Sequence, residues 1–443
     1  MGNTVSSIGR ASMNRRRFLF GATAVAGAGL LAACGSEGSS PAGKTTVNAS
    51  AVGALEIFSF WTSGGDALAL DALYKQFQAQ YSSAKITNSA IGGGAGAGAN
   101  MKTVLTTRIL GGNPPDSFQV HVGAEIIQTW VTADKMEPLD SLYSQEGYDK
   151  VFPKSLIDIA SYQGKPYSVP VDILRANVLW FSKPIMDKVG GTPPATWDEF
   201  FNLGDKLKAM GIPAMGMAEA TPGQTSLVFE TILISKLGAD GYKGLFTGAT
   251  KWSDPKVKDS LETLKEMFNY VNSDYLSFQR GDIPSLLSDG KAAMIIQSDF
   301  VNGYLKAKKF KDYGFAAVPD SNGVYDLASD SFGLPKGVKD PDSAMAWLKL
   351  CGSAAGQNPF NPIKGSISPR SDRDTSNYDE YELWSAKEFD KGNIVPSVYN
   401  GSAAKASFVT DFGNILNVMA TSKDVASVQS KLVQAADDAG FAA

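Results

Sequence analysis

Leu55-Glu56-Ile57-Phe58-Ser59-Phe60-Trp61 is the first stretch of this chain that reads as a folded element. Its aliphatic and aromatic content predicts a strand. Asp66 then opens a helix in which Leu70, Leu73, Phe77 and Tyr81 recur at helical spacing. A second strand is expected at residues 85–91, a glycine-rich loop at 92–98, and a helix from about Asn100 to Leu110. Asp116-Ser117-Phe118-Gln119-Val120 predicts a third strand, ending at His121. Strand–helix–strand–helix order means a parallel sheet with helices on its faces, so the fold class is α/β. In such a sheet ligands bind outside the carboxyl ends of the strands. Three strand ends carry unusual residues: Phe60, Trp61 and Asp66; the 92–98 loop; and Gln119 with His121. They are expected to converge on one cleft.

A second set of elements follows Tyr167-Ser168-Val169-Pro170. In Thr196-Trp197-Asp198-Glu199-Phe200 a threonine precedes a glutamate by three residues, a capping box that starts a helix. Helices are expected at 256–270 and 340–350, and a strand at 313–319. Charged residues from 372 to 390 read as a solvated helical surface, and no internal repeat is visible.

Composition narrows the function. The chain has 443 residues, too many for one core, so two lobes or domains are expected. Apolar content of 43% and charged content of 19% are ordinary for a globular protein. The net charge is −4 and the basic residues are scattered, which argues against a nucleic-acid partner. One histidine and two cysteines exclude a two-histidine zinc site, and Cys351, on an apolar helix face, reads as a buried inert thiol. No Gly-x-Ser-x-Gly nucleophile elbow is present. Neither a metal nor a cofactor is called for.

The N-terminus reads as an address. Arg15-Arg16-Arg17-Phe18-Leu19 precedes an apolar run at 21–33, too short to span a bilayer, and Leu31-Ala32-Ala33-Cys34 follows the lipobox pattern. Residues 1–33 are therefore expected to be a twin-arginine signal peptide, and Cys34 to carry a lipid after cleavage. The alternative is an uncleaved anchor helix. Residues 34–54, rich in Gly, Ser, Ala and Thr, are expected to be the lipidated cysteine and a flexible tether.

Each candidate has a plain structural reading too. The 92–98 loop lacks the Lys-Ser/Thr of a phosphate-binding loop and reads as a tight turn allowing close approach. His121 and Phe60-Trp61 could belong to the core. Aromatics beside Asp66 are also what sugar binding needs, because a pyranose offers an apolar C–H face to a ring and hydroxyls to polar side chains.

With Gly290-Lys291-Ala292-Ala293-Met294 the chain resembles the extracellular solute-binding proteins of ABC importers, in the sugar-binding cluster, and is most similar to the glucose/mannose type. The similarity runs from Leu55 onward. Phe58-Ser59-Phe60-Trp61, Trp130 with Pro138-Leu139, and Pro170 with Asn177 and Trp180 carry part of it. More specific are the stretch from Leu110-Gly111-Gly112 to Gln119-Val120-His121, Ser329-Asp330-Ser331-Phe332-Gly333-Leu334-Pro335-Lys336-Gly337, and Phe360-Asn361-Pro362-Ile363-Lys364-Gly365-Ser366-Ile367. The resemblance implies a two-lobed periplasmic-binding-protein fold of type II. Each lobe would be a central sheet flanked by helices, joined by hinge strands. The first lobe would comprise about 55–169 and 320–351, the second about 171–313 and 358–443. It further implies sugar contacts at Gln119, His121, Asp330 and Lys364, which match the family unchanged, with Asn177 among the other matching positions. Phe60-Trp61 stands where the family has two tryptophans, and Asp66 matches its acidic residue only with one inserted residue. Phe278 replaces a stacking tryptophan, Asn400 replaces a histidine, and Phe300 is a further aromatic position.

The implied function is the receptor of an ABC importer: a monomer that closes on a mono- or small oligosaccharide and delivers it to membrane permease subunits, tethered by lipid outside the cytoplasm. The competing readings are a secreted glycosidase, with Asp66 and Asp330 as its two carboxylates, and a sugar chemoreceptor partner.

Overall fold

The computed structural model describes residues 47–62, 64–91, 99–321 and 323–441. The expected signal peptide, Cys34, most of the tether and the 92–98 loop lie outside them. β1 (Ala54–Phe58), α1 (Gly64–Gln80), β2 (Lys85–Asn88), α2 (Ala99–Leu110) and β3 (Ser117–His121) follow the expected alternation. β2 and β3 both pair parallel to β1. β1 ends three residues before Trp61, so Phe60 and Trp61 lie beyond the strand rather than in it.

The chain then crosses between lobes. β4 (Ser168–Pro170) belongs to the first sheet, β5 (Leu174–Arg175) to a small middle sheet, and β6 (Val178–Ser182) to a third sheet. All three strands are buried throughout, as a segment passing between two cores must be. The second lobe adds α3 (Trp197–Ala209), α4 (Gln224–Gly244, interrupted at Gly238) and α5 (Pro255–Met267). β7 (Met294–Ile296), α6 (Phe300–Ala307) and β8 (Tyr313–Ala317) follow, and β7 and β8 flank β6 antiparallel. The return crossing is β9 (Tyr325–Ala328), in the middle sheet against β5, then β10 (Asp330–Gly333), inserted antiparallel between β3 and β4. The first sheet is thus mixed, order β2-β1-β3-β10-β4. The purely parallel expectation failed because β10 returns through the crossing and runs antiparallel to both of its neighbours.

Five helices and a strand close the chain: α7 (Pro341–Gly352), α8 (Ala354–Lys364), α9 (Glu380–Phe389), β11 (Ile394–Pro396, parallel to β9), α10 (Ala406–Ser422) and α11 (Val425–Ala439), the last two being helices of the second lobe.

Several expectations need correction. The first lobe does not stop at 351: α8 packs Phe360 into the same core as Trp61, Leu73 and Trp347. The tether is not free up to 54. Val52 is buried in that core, Asn48 N donates to Asp342 Oδ1 at 3.1 Å, and Gly53 N donates to Ser343 Oγ at 3.1 Å. Residues 372–390 are not wholly a solvated face, since helix occupies only Glu380–Phe389 and Tyr381 is fully buried against Trp180. The helix expected at 256–270 ends at Met267 in a 3-10 turn. Thr196 does cap α3, accepting from Glu199 N at 3.1 Å, but Glu199 Oε2 accepts from Ala195 N rather than from the cap itself.

Trp347 is the hub of the first core, with ring centroids 5.2 Å from Phe332, 5.5 Å from Tyr74 and 6.0 Å from Phe77. Its Nε1 has no hydrogen-bond partner among the described residues, so its worth lies in packing. Trp347→Ala is expected to cost roughly 3–5 kcal/mol. Urea denaturation measures this, and a loss below about 1 kcal/mol would mean that the core collapses into the void.

Candidate functional site

Strand periodicity sets Gln119 and His121 on one face at the end of β3. The antiparallel register then places Asp330 opposite His121, and Phe332 opposite Gln119. Gln119 Nε2 donates to Asp330 Oδ1 at 2.8 Å, while its Oε1 accepts from Phe60 N at 3.2 Å. His121 Nδ1 lies 2.8 Å from Glu125 Oε2, which also holds Lys102 Nζ at 3.0 Å. An ionised carboxylate only accepts, so Nδ1 carries the hydrogen, and Nε2 faces Asp330 Oδ1 at 3.6 Å. The Phe60 ring sits 5.9 Å from the imidazole.

Lys364, in the last turn of α8, reaches the same place. Its Nζ lies 2.9 Å from Asp66, 3.4 Å from Asp330 and 3.9 Å from Asp172, and 4.8 Å above the Trp61 ring. Burial alone would strip its proton, but the three carboxylates outweigh burial and raise its pKa. Burial would also raise Asp330, yet Lys364 and His121 hold it below its ordinary value. Asp172 goes the other way: burial and the neighbouring Asp330 push it well up, and its Oδ1 accepts from Asp330 N at 2.7 Å. Glu125 is held low by Lys102 and His121 against its own burial.

The second lobe carries aromatics beside two cations, Arg280 and Lys291. Arg280 lies 5.1 Å from the Phe300 ring centroid and 5.5 Å from that of Tyr399, and no carboxylate among the described residues pairs with it. Phe278 packs in the same apolar group as Phe300, with Lys291 Nζ 5.5 Å from its ring. Asn400 Nδ2 donates to Ser397 Oγ at 2.9 Å. The two walls meet where Glu125 N donates to Gly401 O at 2.9 Å and Ala124 N to Ser402 O at 3.2 Å. Gly123 makes that approach possible: its φ is +112°, and a Cβ there would stand 2.6 Å from Ser402 O.

Phe60, Trp61, Asp66, Gln119, His121, Asp330 and Lys364 therefore form one connected cluster. Two expectations change. Asn177 is not brought to it: its Nδ2 donates to Val324 O and its Oδ1 accepts from Asp326 N and Arg175 Nε, so both polar ends are taken at the crossing. Trp61 does not offer a free face, because its buried ring lies between Phe332 and Phe360 under the Lys364 ammonium. Sequence reasoning missed Glu125, Asp172 and Arg280. Glu125 had a signal, four residues after His121, and Asp172 is a lone acid in the apolar run 169–174. Arg280 had none.

Asp299, the residue before Phe300, is buried and accepts from Tyr381 Oη at 2.6 Å and Arg175 N at 2.7 Å. Burial outweighs these bonds and raises its pKa to about 7. The folded value lies above an unfolded one of about 4. Its contribution to stability is therefore fully present below pH about 4 and is lost as pH rises through about 7. Asp299→Asn cannot ionise, so the stability difference between variant and wild type should move in the variant's favour across that window. A difference independent of pH in urea titrations would mean that Asp299 titrates normally.

The sequence pattern of the bacterial extracellular solute-binding proteins matches residues 61–358. An "uncharacterized ABC transporter extracellular-binding protein" of Pyrococcus horikoshii is 36% identical over 388 residues, covering 86% of this chain and 87% of that protein. A "probable sugar-binding periplasmic protein" of Brucella suis is 31% identical, covering 80% of this chain and 84% of its own. The solved bacterial solute receptor AcbH, described as exclusive for β-D-galactopyranose, superposes with a TM-score of 0.78 at 18% identity, over 88% of this chain and all of that one. That likeness establishes the shared two-lobed fold.

Proposed function

This chain belongs to the bacterial extracellular solute-binding protein family, and from that premise we propose that it is the receptor of an ABC importer and captures a sugar between its lobes. The observation that carries the reading is the cluster of buried Gln119, His121, Asp330 and Lys364 with half-buried Asp66, beside the strand ends of the first sheet. It offers ionised acceptors, an ammonium and an imidazole side by side, the partners that a ring of hydroxyls requires. Phe60 on the first wall, and Phe278 and Phe300 on the second, supply apolar faces for the C–H surface of the ring. Asn400 adds hydrogen bonding from the second lobe. The unchanged Gln119, His121, Asp330 and Lys364 favour the glucose/mannose type, with the phenylalanines and Asn400 tuning which sugar is preferred.

Capture needs no bond to break. Sugar held by the first wall gains contacts from the second only when the lobes close, so closure follows from differential affinity. The crossing segments at β4–β6 and β9–β10 are the hinge. A glycosidase would need one carboxyl kept protonated against a second that is ionised. Asp66 and Asp330, the two carboxylates of that reading, instead share the Lys364 ammonium, and the family the chain belongs to is one of binding proteins. In this reading Cys34 is acylated and keeps the receptor at the outer face of the membrane. Cys34→Ala protein should then move to the aqueous phase on detergent partition, whereas retention with membranes would point to an uncleaved helix.

A calorimetric sugar panel tests the site. His121→Ala should lose roughly 1–3 kcal/mol of binding, the cost of an unmade buried hydrogen bond. Asp330→Asn should weaken every sugar that binds, and Phe278→Trp should reorder the sugars without abolishing binding. If Phe278→Trp weakens all alike while Asp330→Asn only reorders them, the assigned roles are reversed.

A further inference from the structure

Arg280 stands in the middle of the second wall. It follows Phe278 by two residues, and its guanidinium lies between the rings of Phe300 and Tyr399, the neighbour of Asn400. Both flanks lead to the polar cluster. On one side Phe300 opens α6, and a Cβ on Gly65, the residue before Asp66, would stand 3.6 Å from Gly303 Cα of that helix. On the other side a Cβ on Gly401 would stand 3.1 Å from Glu125 Oε2, the atom that meets His121 Nδ1. Arg280 is therefore held between two places where the second lobe touches the first wall.

The other ionic groups around the site are closed on one another. Lys364 pairs with Asp66 and Asp330, and Lys102 with Glu125. Lys291 reaches Asp289 at 4.0 Å. The acids near Arg280 are committed elsewhere. Asp282 Oδ2 accepts from Gln279 N at 2.8 Å. Glu219 accepts from Thr225 N at 2.8 Å, Asn417 Nδ2 at 3.2 Å and Gly223 N at 3.3 Å. Arg280 has no ion pair among the described residues, and its Nε is buried without a hydrogen-bond partner there. The Tyr399 hydroxyl is likewise buried without one. Burial raises the pKa of that hydroxyl while the Arg280 charge pulls it down, so the two groups lie side by side. Buried donors left open are costly, and each calls for an explanation. Here they form a cationic fork and a hydroxyl that lack an acceptor.

We propose that Arg280, with the Tyr399 hydroxyl, takes a carboxylate carried by the ligand, and that the ligand is a sugar acid such as a hexuronate. The planar guanidinium fork matches a carboxylate with two parallel hydrogen bonds. The first-lobe cluster then holds the ring hydroxyls while the acid group is met from the second lobe. One guanidinium answers one negative charge. A phosphate ester carries about −1.5 to −2 and would need a further cation, and Lys291 is drawn toward Asp289. The inference rests on the reading of the polar cluster as a sugar site.

The test is calorimetry with glucose, glucuronate, glucuronate methyl ester and glucose 6-phosphate, and with the galactose series in parallel. The wild-type protein should bind at least one uronate about tenfold or more tightly than both its parent sugar and its uncharged methyl ester. Arg280→Gln should shrink that preference to about threefold or less, and Arg280→Lys, which keeps the charge without the fork, should fall between. Tyr399→Phe should lower the uronate more than the parent sugar. If the Arg280 variants lack a cooperative melt, the uronate and its methyl ester on the wild type decide the matter. His121→Ala should weaken acidic and neutral sugars alike. A parent sugar or methyl ester bound as tightly as the uronate, a phosphate ester preferred to it, or equal weakening of uronate and parent by Arg280→Gln overturns the acidic ligand and leaves the sugar reading intact. No binding of any sugar, neutral or acidic, by the wild type overturns both.

Discussion

One buried ammonium organises the first lobe's contribution to the site. Lys364 is 3% exposed and stands among Asp66, Asp330 and Asp172, which come from α1, β10 and the crossing after β4. Three full negative charges around one positive charge would be intolerable in a dry interior. The cluster eases this: burial and the neighbouring Asp330 push the pKa of Asp172, the most enclosed of the three, well up, while Lys364 and His121 hold that of Asp330 down. The ion group thus ties two helices, a strand and the crossing segment, far apart in sequence, to one point. Local electrostatics assist: Lys364 lies in the last turn of its helix and Asp66 in the first turn of its own, each at the favourable end of the helix dipole.

The same helix end also ties the lobes together. Pro362 lies inside α8, and its carbonyl accepts from Lys306 Nζ of α6 at 3.0 Å. Lys306 also pairs with Asp379 and Glu382, each at 3.1 Å. Gly303 of α6 lies so close to this end that a Cβ would stand 2.5 Å from Lys364 O. The residue that carries charge into the site is therefore anchored on the joint between lobes. A rearrangement at that joint must act on the position of its ammonium.

How much of this the sequence could disclose depends on the range of each interaction. Local patterns were legible. Alternation along 117–121 put Gln119 and His121 on one face, and Thr196 announced its helix. Long-range register was not. Nothing in residues 329–337 says that Asp330 will lie opposite His121, since that follows from a strand arriving antiparallel through the hinge; the resemblance to a family stood in for this step. Context likewise decided Trp61, whose strand-end position resembles that of an open platform but whose ring is buried under Lys364. Asn177 looked like a site residue and serves the crossing. The α8 helix carries two prolines, which local rules count as breakers, and it forms because Phe360 is drawn into the core and Ser353 caps its start.

The two walls differ in a way that bears on selectivity. In the first lobe the polar groups already satisfy one another: Gln119 bonds Asp330 and the Phe60 amide, His121 bonds Glu125, and Lys364 bonds Asp66. A ligand entering there gains little merely by supplying hydrogen bonds, because each new bond replaces one or joins a shared acceptor. What it gains comes from the charge-assisted bonds that the Lys364 ammonium and the Asp330 carboxylate can share with a hydroxyl. The second wall is looser in this sense. Phe300 and Tyr399 flank an arginine with no carboxylate partner among the described residues. Such a wall contributes area and charge rather than a fixed hydrogen-bond pattern. In the proposed sugar reading the charged groups of the first lobe thus hold whatever hydroxyls a sugar presents, and the second wall, where Phe278, Phe300 and Asn400 stand, sets which ring fits best.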